Sequence, residues 1–234
     1  MPKILRLLLG DQLNSHHSWF KTIDDNVVYV LMEIRSETDY ASHHIQKIVG
    51  FFAAMRDFAE TLQSNGHRVI YFKLLDDKNL QTFDKNLENL THQHQITHFE
   101  YQLPDEYRLD QQLKNFCATL SIPHSAVDSE HFYTTRNELK DFFEGKKTYL
   151  MESFYRAMRK KHQVLMNGDN PMNSQWNFDG DNRKKLPKNH KPIAPLVFDN
   201  DVSDIQNEIA TTDIKTIGTI DAFILFGLST ERNP

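Results

Sequence analysis

Two groups of polar side chains follow apolar runs near the start of the chain, and their types suit the binding of a heteroaromatic ligand. Gly10, Asp11 and Gln12 come directly after the apolar run at residues 3–9. A second group follows the apolar run at residues 27–32 and consists of Glu37, Tyr40, His43, His44 and Lys47. Facing Asp11 and Gln12, these side chains would offer hydrogen-bond donors and acceptors, and the glycine would let the backbone approach a ligand closely.

The same polar residues have a plainer interpretation as helix caps and surface groups around a strand–helix connection, and their spacing alone leaves both open. In a helix, Glu37, Tyr40 and His44 would share one face, because they lie three and four residues apart. Adjacent side chains diverge on a helix, so a metal site at His43 and His44 is not expected. The chain has no Gly-x-Gly-x-x-Gly and no Gly-Lys-Ser/Thr motif, so it supports neither dinucleotide nor P-loop phosphate binding.

A loop at residues 175–185 combines aromatic and basic side chains. It contains Trp176, Phe178, Asp179, Arg183 and Lys184. Aromatic rings stack on unpaired bases and basic groups contact phosphates, which predicts a nucleic-acid contact. Residues 146–191 hold 11 Lys/Arg and 4 Asp/Glu, a net +7 in a chain of net charge −5, so the other residues sum to −12. The alternative, a tryptophan-anchored loop with a solvated basic end, stays open.

The elements that must position these residues alternate between strands and helices up to residue 135. Apolar runs predict five strands, at residues 3–9, 27–32, 68–72, 97–101 and 125–127. Apolar residues at helical spacing predict helices at 45–62, 80–90 and 109–120. The alternation predicts an α/β fold, a doubly wound and mainly five-stranded parallel sheet. Such sheets bind ligands beyond the carboxyl ends of their strands, where both polar groups lie.

Residues 136–234 form a second segment, in which strands and helices are not predicted to alternate. A helix is predicted at 151–166, and the polar stretch at 168–190 is predicted to be a long loop of the functional or disordered kind. From residue 193 the chain resembles a linker. An exposed apolar patch is predicted at 214–228, which could drive dimerisation or aggregation.

Several classes of protein are excluded by composition. No run of 18 apolar residues exists, so no membrane span is expected. The N-terminus lacks a cleavage site after its apolar run, which favours a buried first strand and a cytoplasmic protein. The single cysteine, Cys117, cannot form an internal disulfide or an all-cysteine metal site, and its apolar neighbours predict a packed helix position.

Five ordered blocks of the chain resemble the photolyase-like proteins of the bacterial iron–sulfur class. They lie at residues 9–13, 37–48, 54–59, 148–159 and 176–184. The first is Leu-Gly-Asp-Gln-Leu, and the second has the pattern Glu-x-x-Tyr-x-x-His-His-x-x-Lys-Ile. Their order and positions fit the family over at least residues 4–187.

The resemblance implies an N-terminal antenna domain that binds a lumazine pigment, 6,7-dimethyl-8-ribityllumazine. The pocket residues implied are Gly10, Asp11, Gln12, Glu37, Tyr40 and His43 or His44. The family also implies a helical domain with FAD and a four-cysteine [4Fe-4S] cluster, in which light drives repair of ultraviolet lesions, commonly of the (6-4) type. The block at 176–184 resembles an interdomain loop that approaches damaged DNA. Its candidate contacts are Trp176, Asp179, Arg183 and Lys184.

The chain departs from the family in length, since members are roughly twice as long and carry the FAD pocket and cluster cysteines in the later half. We therefore expect a light-harvesting part that is not catalytic alone. A stand-alone pigment- or nucleotide-binding module acting with a separate flavin subunit is the alternative. A small α/β enzyme is a weaker hypothesis, because the sequence offers no nucleophile or metal site.

Overall fold

The computed structural model describes residues 3–180, 182–194 and 200–220, which divide into two compact units. One unit comprises residues 3–129 together with 200–220, and the other comprises residues 130–194. The predicted boundary at residue 135 lies close to the change of unit after residue 129. Residues 200–220, predicted to belong to the second segment, form part of the first unit.

The elements follow one another along the chain as short strands and helices. Residues up to 129 form β1 (Ile4–Leu7), β2 (Val27–Met32), α1 (Arg35–Asp39), β3 (His43–His44), α2 (Ile45–Ser64), β4 (Val69–Phe72), α3 (Phe83–Gln93), β5 (His98–Gln102), α4 (Tyr107–Thr119) and β6 (His124–Val127). Later residues form α5 (Glu138–Phe143), α6 (Met151–His162), β7 (Met166–Asn167), β8 (Asn170–Pro171), α7 (Ser203–Ala210) and β9 (Thr216–Ile217).

A five-stranded sheet with the order β4-β2-β1-β5-β6 organises the first unit, and all of its strand pairs are parallel. This confirms the predicted doubly wound α/β fold, a Rossmann-like arrangement. All six residues of β2 are buried, as expected for a strand covered on both faces. The chain reverses its direction across the sheet between β1 and β5, and open parallel sheets bind ligands at such a switch point.

Helix α2 covers one face of the sheet, because its apolar residues recur every three or four positions. Phe52, Met55 and Leu62 are buried against the underside of β1 and β2. Each such side chain contributes roughly 1.5–3 kcal/mol on burial. The helix is followed by Gly66, whose φ of +92° lies in the left-handed region that glycine adopts without strain. Helices α3 and α4 cover the opposite face.

A buried ion-pair network joins the carboxyl end of β2 to α2 and α7. Glu33 is 0% exposed, and both of its oxygens accept hydrogen bonds from Arg56, at 2.7 and 2.9 Å. The guanidinium of Arg56 also contacts Glu208 of α7. The Tyr71 hydroxyl donates to Glu33 at 2.7 Å, and burial, followed by the nearby Glu33 charge, raises the pKa of Tyr71. These contacts join residues far apart in the sequence, and no pattern in the sequence predicted them.

Helix α7 packs on the α/β unit, where the sequence suggested a linker. Val202, Ile205 and Ile209 are buried with the α2 core residues. Strand β9 then pairs with β3 in parallel. Within the predicted exposed patch at 214–228, Ile217 is 56% exposed, whereas Ile214 and Ile220 pack against the core. Residues 221–228 lie outside the described residues.

The second unit is built on α5 and α6. Phe154 of α6 packs against Phe142 and Phe143 of α5. Helix α6 ends four residues earlier than predicted, because Gln163 takes a left-handed φ of +54°. Beyond it lie the β7–β8 pair and a short turn at residues 172–174. None of the helices in the described part of the chain is long and apolar enough to cross a membrane.

Candidate functional site

A cavity of about 230 Å³ lies at the carboxyl ends of β1 and β2. Its lining begins with residues 8–11 after β1 and continues through Met32, Ile34 and Glu37 around the end of β2. Helix α2 contributes Phe51, Phe52 and Met55, and the opposite layer contributes Phe83, Glu106 and Leu109. The cavity therefore combines apolar walls with a polar rim, next to the switch point of the sheet.

The structure brings five of the seven predicted ligand residues to this cavity. They are Gly10, Asp11, Glu37, Tyr40 and His43. Lys47, which continues the same polar group in the sequence, also lines it. The segments after β1 and β2 meet here because these parallel strands are neighbours. Gln12 and His44 do not belong to the lining.

Gln12 forms hydrogen bonds within the protein at the switch point of the sheet. Its side chain is 1% exposed, its Oε1 accepts from the Leu9 backbone N–H at 3.1 Å, and its Nε2 donates to the Gln102 carbonyl at 3.2 Å. These bonds tie the end of β1 to the end of β5. The amide is thereby used within the protein instead of facing the cavity.

His44 caps helix α2. Its Nδ1 accepts from the Gln46 backbone N–H at 3.2 Å. Its ring lies so close to Gly218 that a Cβ there would be 1.9 Å from Nε2. Neighbouring side chains of an extended segment point to opposite sides, so His43 reaches the cavity while His44 does not.

Arg108, which was not among the site residues predicted from the sequence, binds the two glutamates at the cavity rim. Arg108 donates to both oxygens of Glu37, at 3.0 and 2.7 Å, and to both oxygens of Glu106, at 2.8 and 3.0 Å. The guanidinium carbon lies 4.1 Å from the centroid of the Tyr40 ring. The hydrogen bond with Glu37 is the largest cause that raises the pKa of Arg108. Only the sheet order, which places the start of α4 beside α1, reveals this pairing.

His43 sits between polar and aromatic neighbours at the cavity wall. Its ring meets the Tyr40 ring edge-on at 4.7 Å between centroids, and its Nδ1 lies 3.3 Å from the Lys47 ammonium. Its Nε2 is buried and has no hydrogen-bond partner among the described residues. Burial, followed by the charge of Lys47, lowers the pKa of His43, so the imidazole is neutral at neutral pH.

Gly10 leaves room that any side chain would take. A Cβ at this position would lie 2.9 Å from the Met55 Sδ and 3.0 Å from the Phe51 ring. With Phe52 and Phe83, these side chains form apolar walls suited to a flat ring. The orphaned Nε2 of His43 and the Glu37 carboxylate supply polar groups at the edge. The residues present thus fit a heteroaromatic ligand.

The predicted nucleic-acid loop is partly anchored to its own unit. The Trp176 ring lies within 5.3–5.8 Å of cationic groups on α6, from Arg156, Arg159 and Lys160. The Trp176 carbonyl accepts from Arg159 at 3.2 Å. This agrees with the tryptophan-anchored alternative for the first residues of the loop.

The described residues in the later part of the loop are exposed. The Asp179 carbonyl accepts a hydrogen bond from the Asn182 N–H at 3.2 Å. Arg183 and Lys184 are both exposed. They therefore present positive charge at the surface of the second unit.

Metal-binding groups do not converge in the described part of the chain, where no cluster of three or more His, Cys, Asp or Glu residues could hold an ion. The single cysteine of the sequence, Cys117, is buried in α4, and burial raises its pKa to about 11. One cysteine does not fit a four-cysteine cluster.

Comparison with known proteins relates the chain to photolyases. The family described as deoxyribodipyrimidine photo-lyase-related protein matches residues 6–225. A (6-4) photolyase of Agrobacterium fabrum is 32% identical over 206 residues, which are 86% of this chain and 41% of the relative. An uncharacterized protein of Acanthamoeba polyphaga mimivirus is 23% identical over 168 residues, which are 68% of this chain and 83% of the relative.

The chain therefore spans about two fifths of the length of the curated photolyase that it matches, with 41% of that relative covered. The match to the family extends over nearly the whole sequence. It includes all five blocks on which the resemblance rests and all the residues that line the cavity. This chain belongs to the deoxyribodipyrimidine photo-lyase-related protein family.

Proposed function

We propose that the α/β unit binds a lumazine-type antenna pigment, 6,7-dimethyl-8-ribityllumazine, as the light-harvesting part of a photolyase-like DNA-repair protein. The observation that carries the proposal is the cavity at the switch point, which collects Gly10, Asp11, Glu37, Tyr40 and His43 in a member of a photolyase-related family. Its volume of about 230 Å³ is below the roughly 300–1,000 Å³ of drug-sized pockets, which disfavours a ligand as large as a dinucleotide.

Each group has a part in holding such a ring. The Phe51 and Phe52 side chains would exclude water from the bound ring, and the lack of a side chain at Gly10 would leave space for it. Arg108 holds the Glu37 carboxylate in place as an acceptor for ring or ribityl donors. A bound lumazine would absorb near-ultraviolet light and pass the excitation energy to a flavin.

The test of this proposal is retention of added lumazine by the purified chain. After desalting, we expect lumazine absorbance to co-elute with the wild type and with Gly180→Val, since a Cβ at Gly180 meets nothing within 4 Å. Gly10→Val should lose the pigment, because the new side chain occupies the space of Met55 and Phe51. Elution of the wild-type protein without lumazine absorbance would reject the proposal.

We further propose that the loop with Trp176, Asp179, Arg183 and Lys184 contacts damaged DNA. The exposed arginine and lysine supply phosphate contacts, and the second unit carries the basic excess of the chain. We expect Arg183→Ala to weaken binding to (6-4)-lesion DNA and to lower the salt slope by about one, measured by fluorescence anisotropy. An unchanged slope would remove Arg183 from the interface.

The photochemical repair step is a proposal for the whole protein. In the family, as the resemblance implies, FAD supplies the electron and a [4Fe-4S] cluster accompanies it. Neither group is assigned to residues of this chain, whose cysteine count does not fit the cluster. We propose that this chain contributes light harvesting and a DNA contact, and that the lyase chemistry takes place elsewhere.

A stand-alone pigment-binding module acting with a separate flavin subunit is the second candidate. The observation favouring it is the mimivirus relative, which is matched over 83% of its own length. Both candidates predict lumazine binding. They differ in whether a native complex of the chain, isolated from its source, yields FAD on a separate polypeptide.

A further inference from the structure

The side chains of His43 and Lys47 are close enough to form a hydrogen bond, and only one of them can be its donor. The Lys47 Nζ lies 3.3 Å from Nδ1 of His43 and 5.8 Å from the centroid of the Phe51 ring, so two contacts hold it. A lysine ammonium has three donors and no acceptor. The imidazole Nδ1 must therefore accept, and the proton of the neutral ring must be on Nε2.

Nε2 is the ring nitrogen of His43 that Lys47 does not contact. It is buried, it has no partner among the described residues, and its residue lines the cavity. A buried donor without a partner costs about 1–3 kcal/mol, so a ligand that supplies an acceptor would recover this loss. His44 provides a contrast, since its Nδ1 also accepts, from the backbone of α2, but its Nε2 lies against Gly218.

The surroundings of His43 favour the neutral ring. Burial is the largest cause that lowers the pKa of His43, and the ammonium of Lys47 and the guanidinium of Arg108 act in the same direction. Glu37 opposes them through its carboxylate charge, although Arg108 engages that group, and through its backbone. The neutral ring has one N–H, and its position decides what the cavity wall recognises.

We propose that Lys47 is a positioning residue that fixes His43 as the Nε2–H tautomer, so that the cavity takes rings presenting an acceptor to this donor. The ligand class is a heteroaromatic with a carbonyl oxygen or an unprotonated ring nitrogen at that edge, as in a pteridine-dione. The inference rests on the proposed pigment site and adds the rule by which the site selects its ligand.

The tautomer is measured by nitrogen-15 NMR of the histidine rings in the pigment-free chain, with His43→Gln identifying the His43 signals. We expect the wild type and Lys47→Arg to show Nε2–H. Lys47→Met should shift the averaged signals towards Nδ1–H and raise the pKa of His43, because a donor and a positive charge are removed. A wild-type ring protonated on Nδ1, or signals and pKa unchanged in Lys47→Met, would overturn the role of Lys47.

Ligand selection is measured by lumazine titration of two His43 variants. His43→Gln keeps an N–H close to the position of Nε2 and should bind almost as the wild type does. His43→Phe keeps a ring but no donor and should bind about tenfold more weakly. Equal binding by His43→Phe would refute the selection rule while leaving pigment binding intact. If the wild type binds no lumazine, the proposed function fails, and the NMR result still decides what Lys47 does.

Discussion

Arg108 joins three functional side chains at the cavity rim. It is bidentate to Glu37 and to Glu106, and it covers the Tyr40 ring. A lysine would keep the charge but lose the planar fork that makes these paired bonds. The side chains of the pair with Glu37 are 35% and 25% exposed, so solvent screening limits its effect on folding.

We predict that Arg108→Lys weakens lumazine binding several-fold and changes the free energy of unfolding by less than about 1 kcal/mol. Fluorescence titration and urea denaturation measure the two quantities. Arg68→Lys is the matched control, because its contact with Asp25 is exposed and lies outside the cavity lining. Equal lumazine affinity in both variants would show that Arg108 does not organise the rim.

Glu33 is expected to matter for stability. It is fully buried and bound by Arg56, Tyr71 and the Leu74 backbone N–H. We predict that Glu33→Gln lowers the free energy of unfolding by about 3 kcal/mol, because Arg56 loses the fully buried one of its two carboxylate partners and keeps only Glu208. The exposed pair of Glu152 with Arg156 is the control. Glu152→Gln should change the free energy of unfolding, measured by urea denaturation, by less than about 0.5 kcal/mol. Similar losses in both variants would contradict this account.

Spacing and residue type identified most of the polar residues that line the cavity, but few of its apolar ones, because parallel strands bring their carboxyl ends to one edge. Gly10, Glu37 and His43 were predicted in this way. Their roles depend on details that spacing does not contain. The direction in which the His44 side chain points depends on the local backbone conformation. The pairing of Arg108 with Glu37 depends on the order of strands in the sheet.

Among the elements, α2 was predicted closely and α7 was not. Helix α2 has five turns of apolar periodicity, and its pattern is independent of its surroundings. Helix α7 has eight residues, and its apolar face is defined by the groove that receives it beside α2. A short helix of this kind is stabilised by packing more than by its own sequence.

Ile209 and Ile217 test whether α7 belongs to the α/β unit. Ile209 is 4% exposed, whereas Ile217 in β9 is 56% exposed. We predict that Ile209→Ala lowers the free energy of unfolding by about 2–4 kcal/mol, since it leaves a cavity in the core. Ile217→Ala should cost less than about 0.5 kcal/mol. Chemical denaturation of both variants measures the difference, and equal costs would argue against the packing of α7.

At the scale of the whole molecule, the single cysteine reports on unfolding. Cys117 is buried in α4, and burial raises its pKa to about 11. We predict slow labelling by a thiol reagent at pH 8 that accelerates with urea in step with loss of structure, while Cys117→Ser is not labelled. Rapid labelling of the native protein would contradict the burial of this thiol.

The same thiol gives a pH dependence of definite sign. In the unfolded chain the thiol ionises near pH 8.5, below the pKa of about 11 that burial gives it in the folded protein. The folded state therefore holds more protons between these values, and the stability contributed by Cys117 falls as pH rises through that window. Stability of the wild type should decline more steeply than that of Cys117→Ser between about pH 8.5 and 11.

Charge is divided along the chain, with a basic excess at residues 146–191 in an acidic protein. This division, together with the cavity in the other unit, supports the proposal that one unit binds a pigment and the other binds DNA. The fold class and the family followed from the sequence, whereas the ligand depends on the cavity itself. The proposed light-harvesting role depends on binding of the pigment in that cavity.

Fluorescence titration of 6,7-dimethyl-8-ribityllumazine with the wild type and Gly10→Val tests whether the pigment binds in this cavity. We expect saturable binding with one pigment per wild-type chain, and no saturable binding by a Gly10→Val variant that remains folded. Absence of binding by the wild type, or equal binding by the two proteins, would contradict a pigment site at the carboxyl ends of β1 and β2.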